Sequence, residues 1–171
     1  MTPEASFNLP SSSVADGIGA MLPTMALAIG GFFSSGPASA PDGDRVTMHD
    51  PVIGITTDLA DERHRAGVGY SRLVAAAGGI PILLPCLPQL VDAHLRRVDA
   101  VLLSGGDDPR MEAFGVATDP RVTPVAPDRQ AYELELLARL DHEPHRPVLG
   151  VCLGMQYMGL AAGGRLDQYL P

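Results

Sequence analysis

The stretch "RPVLGVCLGMQYMGLAAGG", Arg146 to Gly164, sets one of the chain's two cysteines between two glycines, Gly150 and Gly154. The run leading in, "RPVLGVC" (146–152), is apolar and reads as a buried strand. The run leading out, "LGMQYMGLAAGG" (153–164), reads as the helix that follows the strand. Cys152 therefore falls on a strand-to-helix turn. "GVCLG" is G-x-C-x-G, the cysteine counterpart of the G-x-S-x-G nucleophile elbow. The two glycines leave room for a sharp turn that pushes the sulfur outward. The helix N-terminus behind it favours thiolate, because free N–H groups and the helix dipole stabilise negative charge. The Leu153 N–H would point toward an oxyanion. The competing reading is a buried structural cysteine at a helix start.

Upstream, the pattern repeats in kind. "PVIGITT" (51–57), "IPILLP" (80–85) and "VDAVLLSGG" (98–106) are apolar runs that read as strands. Between them lie helical spacings at 66–79 and 88–97, and an amphipathic helix at 126–140 with Asp128 as candidate N-cap. Residues 107–126, rich in Asp and Pro, read as loop. Strands alternate with helices and are apolar on both faces. The expected fold class is α/β, an open, mostly parallel sheet with helices on both faces.

Residues 1–48 differ from the rest: rich in Ser, Pro, Gly and Ala, with no charge between Asp16 and Asp42. "GIGAMLPTMALAIGGFF" (17–33) followed by "ASA" (38–40) has the apolar core and small-residue site of a signal peptide, but no arginine precedes Arg45. The run is short for a membrane span and is broken by Pro23. Three readings stand: a true start at Met48, a disordered tail, or an export or anchoring segment. The division expected is a non-conforming extension at 1–48 and a domain at 49–171.

Composition narrows the class. Hydrophobic residues make up 46% of the 171, enough for a packed core rather than overall disorder. A net charge of −8 disfavours nucleic acid as a partner. All 12 basic residues are arginine, which rules out lysine Schiff-base chemistry in these residues. Cys86, in "LLPCLP", reads as a small buried hydrophobe. No clustered metal ligands and no phosphate-binding loop are visible, so no cofactor is expected. Nor is a membrane, and the expected location is cytoplasmic.

A second turn, "LLSGGDDP" (102–109), ends another strand at the same sheet edge. Taken alone, a Ser-Gly-Gly turn reads as an ordinary loop; it can also expose a backbone N–H, that of Gly106, as the other half of an oxyanion hole. Together with the Cys152 elbow it suits acyl transfer from an amide.

These motifs resemble the class I glutamine amidotransferases, nearest to the branch containing γ-glutamyl-γ-aminobutyrate hydrolase. That branch carries P-V-I-G-I-T, A-A-G-G-x-P-x-L-L-P, G-G-x-D-x-x-P, D-x-x-R-D-x-x-E-L-x-L-L, P-V-L-G-I-C-R-G-M-Q and G-G-x-L-x-Q-D-L-P. This chain has "PVIGIT", "AAGGIPILLP", "GGDDP", "DRQAYELELL", "PVLGVCLGMQ" and "GGRLDQYLP", in order across about 51–171. The resemblance implies a flavodoxin-like amidotransferase fold, with Cys152 attacking a γ-glutamyl amide to form a thioester that water resolves. It implies the Gly106 and Leu153 N–H groups as the oxyanion hole. Leu153 stands where the nearest branch has arginine; leucine is commoner in synthetase-linked amidotransferases. Gln156 matches the family's position and would support the substrate pocket, or simply cap or pack. Asp107 and Asp108 would meet the substrate's ammonium, or belong to a solvated loop.

The family completes its triad with a downstream H-x-E, and these residues contain none. His142 and His145 precede the Cys152 strand and belong at its far end, roughly 20 Å from the sulfur at ~3.3 Å per residue. His94 and His49 also belong at that edge. His64 alone is placed on the correct one, in the charged loop "DERHR". The expectation is an incomplete or inactive hydrolase, C-terminally truncated, with a second chain as one source of the missing part. Whether it is an enzyme stays open. The alternatives are a non-catalytic binding or interaction domain on the same fold, and another Cys-dependent α/β hydrolase of the dienelactone-hydrolase type.

Overall fold

The computed structural model describes residues 50–169. The 1–48 extension therefore lies outside the described residues, as does His49. Four strands form a parallel sheet: β1 (Val52–Thr56), β4 (Ile80–Leu84), β5 (Ala100–Leu103) and β6 (Val148–Gly150). Their spatial order is β4-β1-β5-β6. The chain first moves to one side of β1 and then to the other, so the topological switch point lies between β1 and β5. In such sheets ligands sit at the carboxyl ends of the strands at that point. β5 is buried at all four positions, which explains its unbroken apolar sequence.

Helices α1 (Val68–Ala76), α2 (Val91–Leu95), α3 (Pro127–Leu140) and α4 (Leu153–Ala161) cover the sheet unequally. Val101 and Leu103 of β5 face a large core with Leu84, Val91, Leu95, Tyr132, Leu136 and Leu140. Leu102 faces the other way, toward Ile55 and Val74 under α1. α4 lies beside α3, where Leu153 and Tyr157 pack with Val125. On the α1 side Leu83 and Leu149 remain partly exposed, at 48% and 41%. The α/β fold with a mostly parallel sheet and helices on both faces is thus present.

Two local expectations are corrected. The charged loop "DERHR" is a β-hairpin, β2 (Asp58–Ala60) paired antiparallel with β3 (Arg63–Arg65). Its two-residue turn holds Asp61 and Glu62 at φ 51° and 57°. Asp128 is not the N-cap of α3. Pro127 takes the first helical position, Ala126 caps the helix without a side-chain bond, and Asp128 lies in the first turn.

No helix among the described residues is long and apolar enough to cross a membrane. No group of three or more His, Cys, Asp or Glu able to hold a metal ion occurs among them.

Candidate active site

Cys152 sits between β6 and α4 with φ 50° and ψ −106°, a conformation that an L-residue rarely adopts. Neighbouring contacts impose it. Val151 N–H donates to the Leu103 carbonyl at 3.0 Å, and Gly154 N–H donates back across the cysteine to the Val151 carbonyl at 3.0 Å. Gly154 presses on the end of β5; a Cβ there would lie 2.5 Å from the Leu103 carbonyl oxygen. A Cβ on Gly150 would lie 2.7 Å from the Gly154 carbonyl carbon and from the Met155 nitrogen. The chain can turn this sharply only with hydrogen at both positions, and Cys152 is left exposed at the apex. Strain of this kind costs about 1–3 kcal/mol and persists only where surrounding contacts hold it.

Beside the elbow, β5 runs into Ser104, Gly105 and Gly106. Gly105 lies nearest the cysteine; a Cβ built on it would be 3.4 Å from Cys152 Cβ. Its N–H donates to the Tyr70 hydroxyl at 2.8 Å. On the opposite flank stands Arg129 of α3, whose side chain is fully buried. Arg129 Nη2 donates to the Ser104 carbonyl at 3.1 Å, the Ser104 hydroxyl at 3.1 Å and the Gly105 carbonyl at 3.0 Å. The guanidinium also fills the space a side chain on Gly106 would need.

The charge of Arg129 is matched by Asp58, 3.1 Å from Nη1, and by Glu133, 3.5 Å from Nη2. Glu133 Oε1 accepts from the Thr56 hydroxyl at 2.6 Å, and Thr56 Oγ1 accepts from Ser104 N–H at 2.9 Å. Burial pushes the Glu133 carboxyl above its ordinary value, while Arg129 and Thr56 pull it down. A cleft of about 430 Å³ opens beside this turn, lined among others by Asp58, Arg65, Tyr70, Ser104 and Gly105. It lies at the β1/β5 switch point.

The structure brings Cys152, Leu153 and the Gly105–Gly106 turn together at the carboxyl edge. Leu153 buries its side chain completely against Val125 and Tyr157, so only its backbone is available at the elbow. Gln156 is half-buried one helical turn after Cys152, its N–H on the Cys152 carbonyl at 3.0 Å. Asp107 is exposed. Asp108 is half-buried and its carboxylate accepts from Thr123 N–H at 3.1 Å, fastening the long loop before α3. Cys86 is 2% exposed, its thiol donating to the Thr57 carbonyl at 3.0 Å, and burial raises its pKa.

None of the described histidines is brought to Cys152. His64 lies on β3, where its Nδ1 accepts from Cys86 N–H at 3.2 Å beyond the end of β4. β4 and β6 are three strand spacings apart, roughly 14 Å at ~4.8 Å each. His94 bonds the Tyr132 hydroxyl at 2.8 Å from α2. His142 and His145 lie in the turn before β6, at the far end of the strand from the cysteine.

A strained, exposed cysteine on a strand-to-helix turn, beside a Gly-Gly turn at the end of the adjoining parallel strand, has the geometry of a G-x-C-x-G elbow in an α/β protein. The Peptidase C26 profile matches residues 51–171. The chain belongs to that family, which is class I glutamine amidotransferase-like. Among its relatives, a candidate glutamine amidotransferase of Mycobacterium tuberculosis is 36% identical over 136 residues, 71% of this chain and 42% of the relative. A candidate glutamine amidotransferase-like protein of Rickettsia prowazekii is 29% identical over 134 residues, 71% of this chain and 47% of the relative. Protein NtpR of Enterococcus hirae is 29% identical over 103 residues, 60% of this chain and 43% of the relative. The chain spans less than half the length of these curated relatives.

Proposed function

We propose that this chain carries the nucleophile half of a γ-glutamyl amide hydrolase. The observation that carries the reading is the elbow: an exposed cysteine at φ 50°, wedged between two glycines that admit no Cβ, beside a Gly-Gly turn. A purely structural cysteine has no need of that strain.

In the reaction, the Cys152 thiolate adds to the amide carbonyl carbon, and the oxygen takes the negative charge. The N–H groups of Leu153 and Gly106 stabilise that oxyanion. The C–N bond then breaks and the amine leaves with a proton, giving a γ-glutamyl thioester. Water adds to the thioester, the C–S bond breaks, and the products are a carboxylate and the free thiol. Gln156 and the Asp107–Asp108 turn flank the substrate. Proton transfer at both stages needs a base, and it comes from residues beyond 50–169, in the same polypeptide or in a second chain.

The test is release of p-nitroaniline from γ-glutamyl-p-nitroanilide by the full-length polypeptide and its C152A variant, alongside iodoacetamide labelling. Expected are hydrolysis lost in C152A and labelling of Cys152 at least tenfold faster than Cys86. Absence of hydrolysis sinks the proposal, and equal labelling rates beside it favour a non-catalytic binding domain.

A further inference from the structure

The turn that would hold the oxyanion is itself held, and by a charge. Ser104 and Gly105 both direct their carbonyls at one nitrogen, Arg129 Nη2. A trans peptide sets its N–H opposite its C=O. The Ser104 carbonyl shares a peptide plane with the Gly105 N–H, and the Gly105 carbonyl with the Gly106 N–H. Two consecutive carbonyls fixed on one side therefore send two consecutive N–H groups to the other. That other side holds the Tyr70 hydroxyl, which receives the Gly105 N–H, and Cys152. Successive N–H groups on one side of the chain form an anion-binding concavity.

Stability alone gives no reason for this arrangement. A buried ion pair is weak evidence for stability, since apolar replacements of similar volume are often as stable or more so. Arg129 Nε and Glu133 Oε2 are buried without a hydrogen-bond partner, so the network is not built to satisfy every charge. It is built to place Nη2. Asp58 anchors Nη1 from β2, and Glu133 braces Nη2 one helical turn away on α3. The hairpin β2–β3 thus has a task in the site that its exposed residues do not suggest.

We propose that Arg129 is a positioning residue: it fixes the direction of the Gly105 and Gly106 N–H groups and so forms one side of the oxyanion site. Its kinetic consequence rests on the function proposed above; its structural consequence does not. The guanidinium also polarises both peptides, and hydrogen bonds that share a peptide unit strengthen one another.

The experiment follows the backbone amides of Gly105 and Gly106 by ¹⁵N NMR in the full chain and in R129Q and D58N. D58N keeps the arginine and detaches one anchor, and serves if R129Q does not fold. Expected are moved resonances for both glycines and at least tenfold faster exchange at Gly105, with the β5 amide of Leu102 unchanged. Unmoved glycine amides in a folded variant overturn the proposal. In the full-length polypeptide, R129Q is expected to lose 10²–10³-fold in kcat for γ-glutamyl-p-nitroanilide, as for loss of one oxyanion donor. KM and the iodoacetamide rate at Cys152 stay within twofold. A labelling rate that falls in parallel with kcat overturns positioning in favour of a general folding role. If the parent enzyme does not hydrolyse the amide, the proposed function fails and the NMR result alone decides the role of Arg129.

Discussion

Gly154 and Gly159 lie five residues apart in α4, and alanine at each should move stability in opposite directions. At Gly159 a Cβ meets nothing within 4 Å. There the helix gains the usual advantage of alanine over glycine, about 0.5–1 kcal/mol. At Gly154 the Cβ would stand 2.5 Å from both the Cβ and the carbonyl oxygen of Leu103. Leu103 is fully buried at the end of a central strand, and that oxygen already accepts Val151 N–H. Neither neighbour can swing aside. Overpacking costs about 1–3 kcal/mol, occasionally more, and an immovable backbone atom puts this site at the upper end, about 3 kcal/mol. The two variants should therefore differ by about 4 kcal/mol. At a urea slope of about 2 kcal/mol/M, that separates their midpoints by about 2 M. The assay is urea unfolding of the full chain followed by far-UV circular dichroism. A separation below about 0.5 M would refute the claim that the elbow is wedged against β5.

Cys152→Gly should raise the thermal midpoint by a few degrees: relief of about 1–3 kcal/mol of strain outweighs the ~0.5–1 kcal/mol entropy cost of glycine. Cys152→Ala, which keeps the Cβ, should not, and equal midpoints for the two would disprove stored strain. Glu133, with its carboxyl pushed up by burial, binds its proton more tightly folded than unfolded. Its contribution is then present below the ordinary carboxyl value and lost as pH rises through the raised one. Glu133→Gln should flatten that decline in a thermal scan across pH 4 to 8; an unchanged slope would remove the residue from the account. His94 has the opposite sign: burial, then Arg97, lowers its pKa. Its contribution is present above the ordinary value near 6.5 and lost as pH falls from there through the lowered folded value. His94→Gln should remove that acid-side decline, and a scan that matches the parent would count against it.

The four parallel strands and the elbow were legible because each obeys a local rule. Strands buried on both faces read as unbroken apolar runs, and G-x-C-x-G states its own geometry. The hairpin was not legible. Its strands carry Asp58, Arg63, His64 and Arg65, with little apolar alternation, and its turn puts Asp-Glu where Asn-Gly is the usual signal for positive φ. Arg129 was missed for a different reason. An Arg and a Glu four apart on an amphipathic helix read as a solvated pair. Their burial comes from Asp58, Thr56 and Ser104, distant in sequence and close only after the sheet has formed. The Asp128 cap misled because Pro127 claims the first helical position ahead of it.

β6 spans three residues, and among the described residues it has one hydrogen-bonded neighbour, β5. Yet the elbow is tied to the sheet through that pairing, by way of Val151 N–H and Leu103. Cys152 therefore inherits its placement from β5, the most deeply buried strand among the described residues, so that a change in the packing of Leu103 is felt at the sulfur.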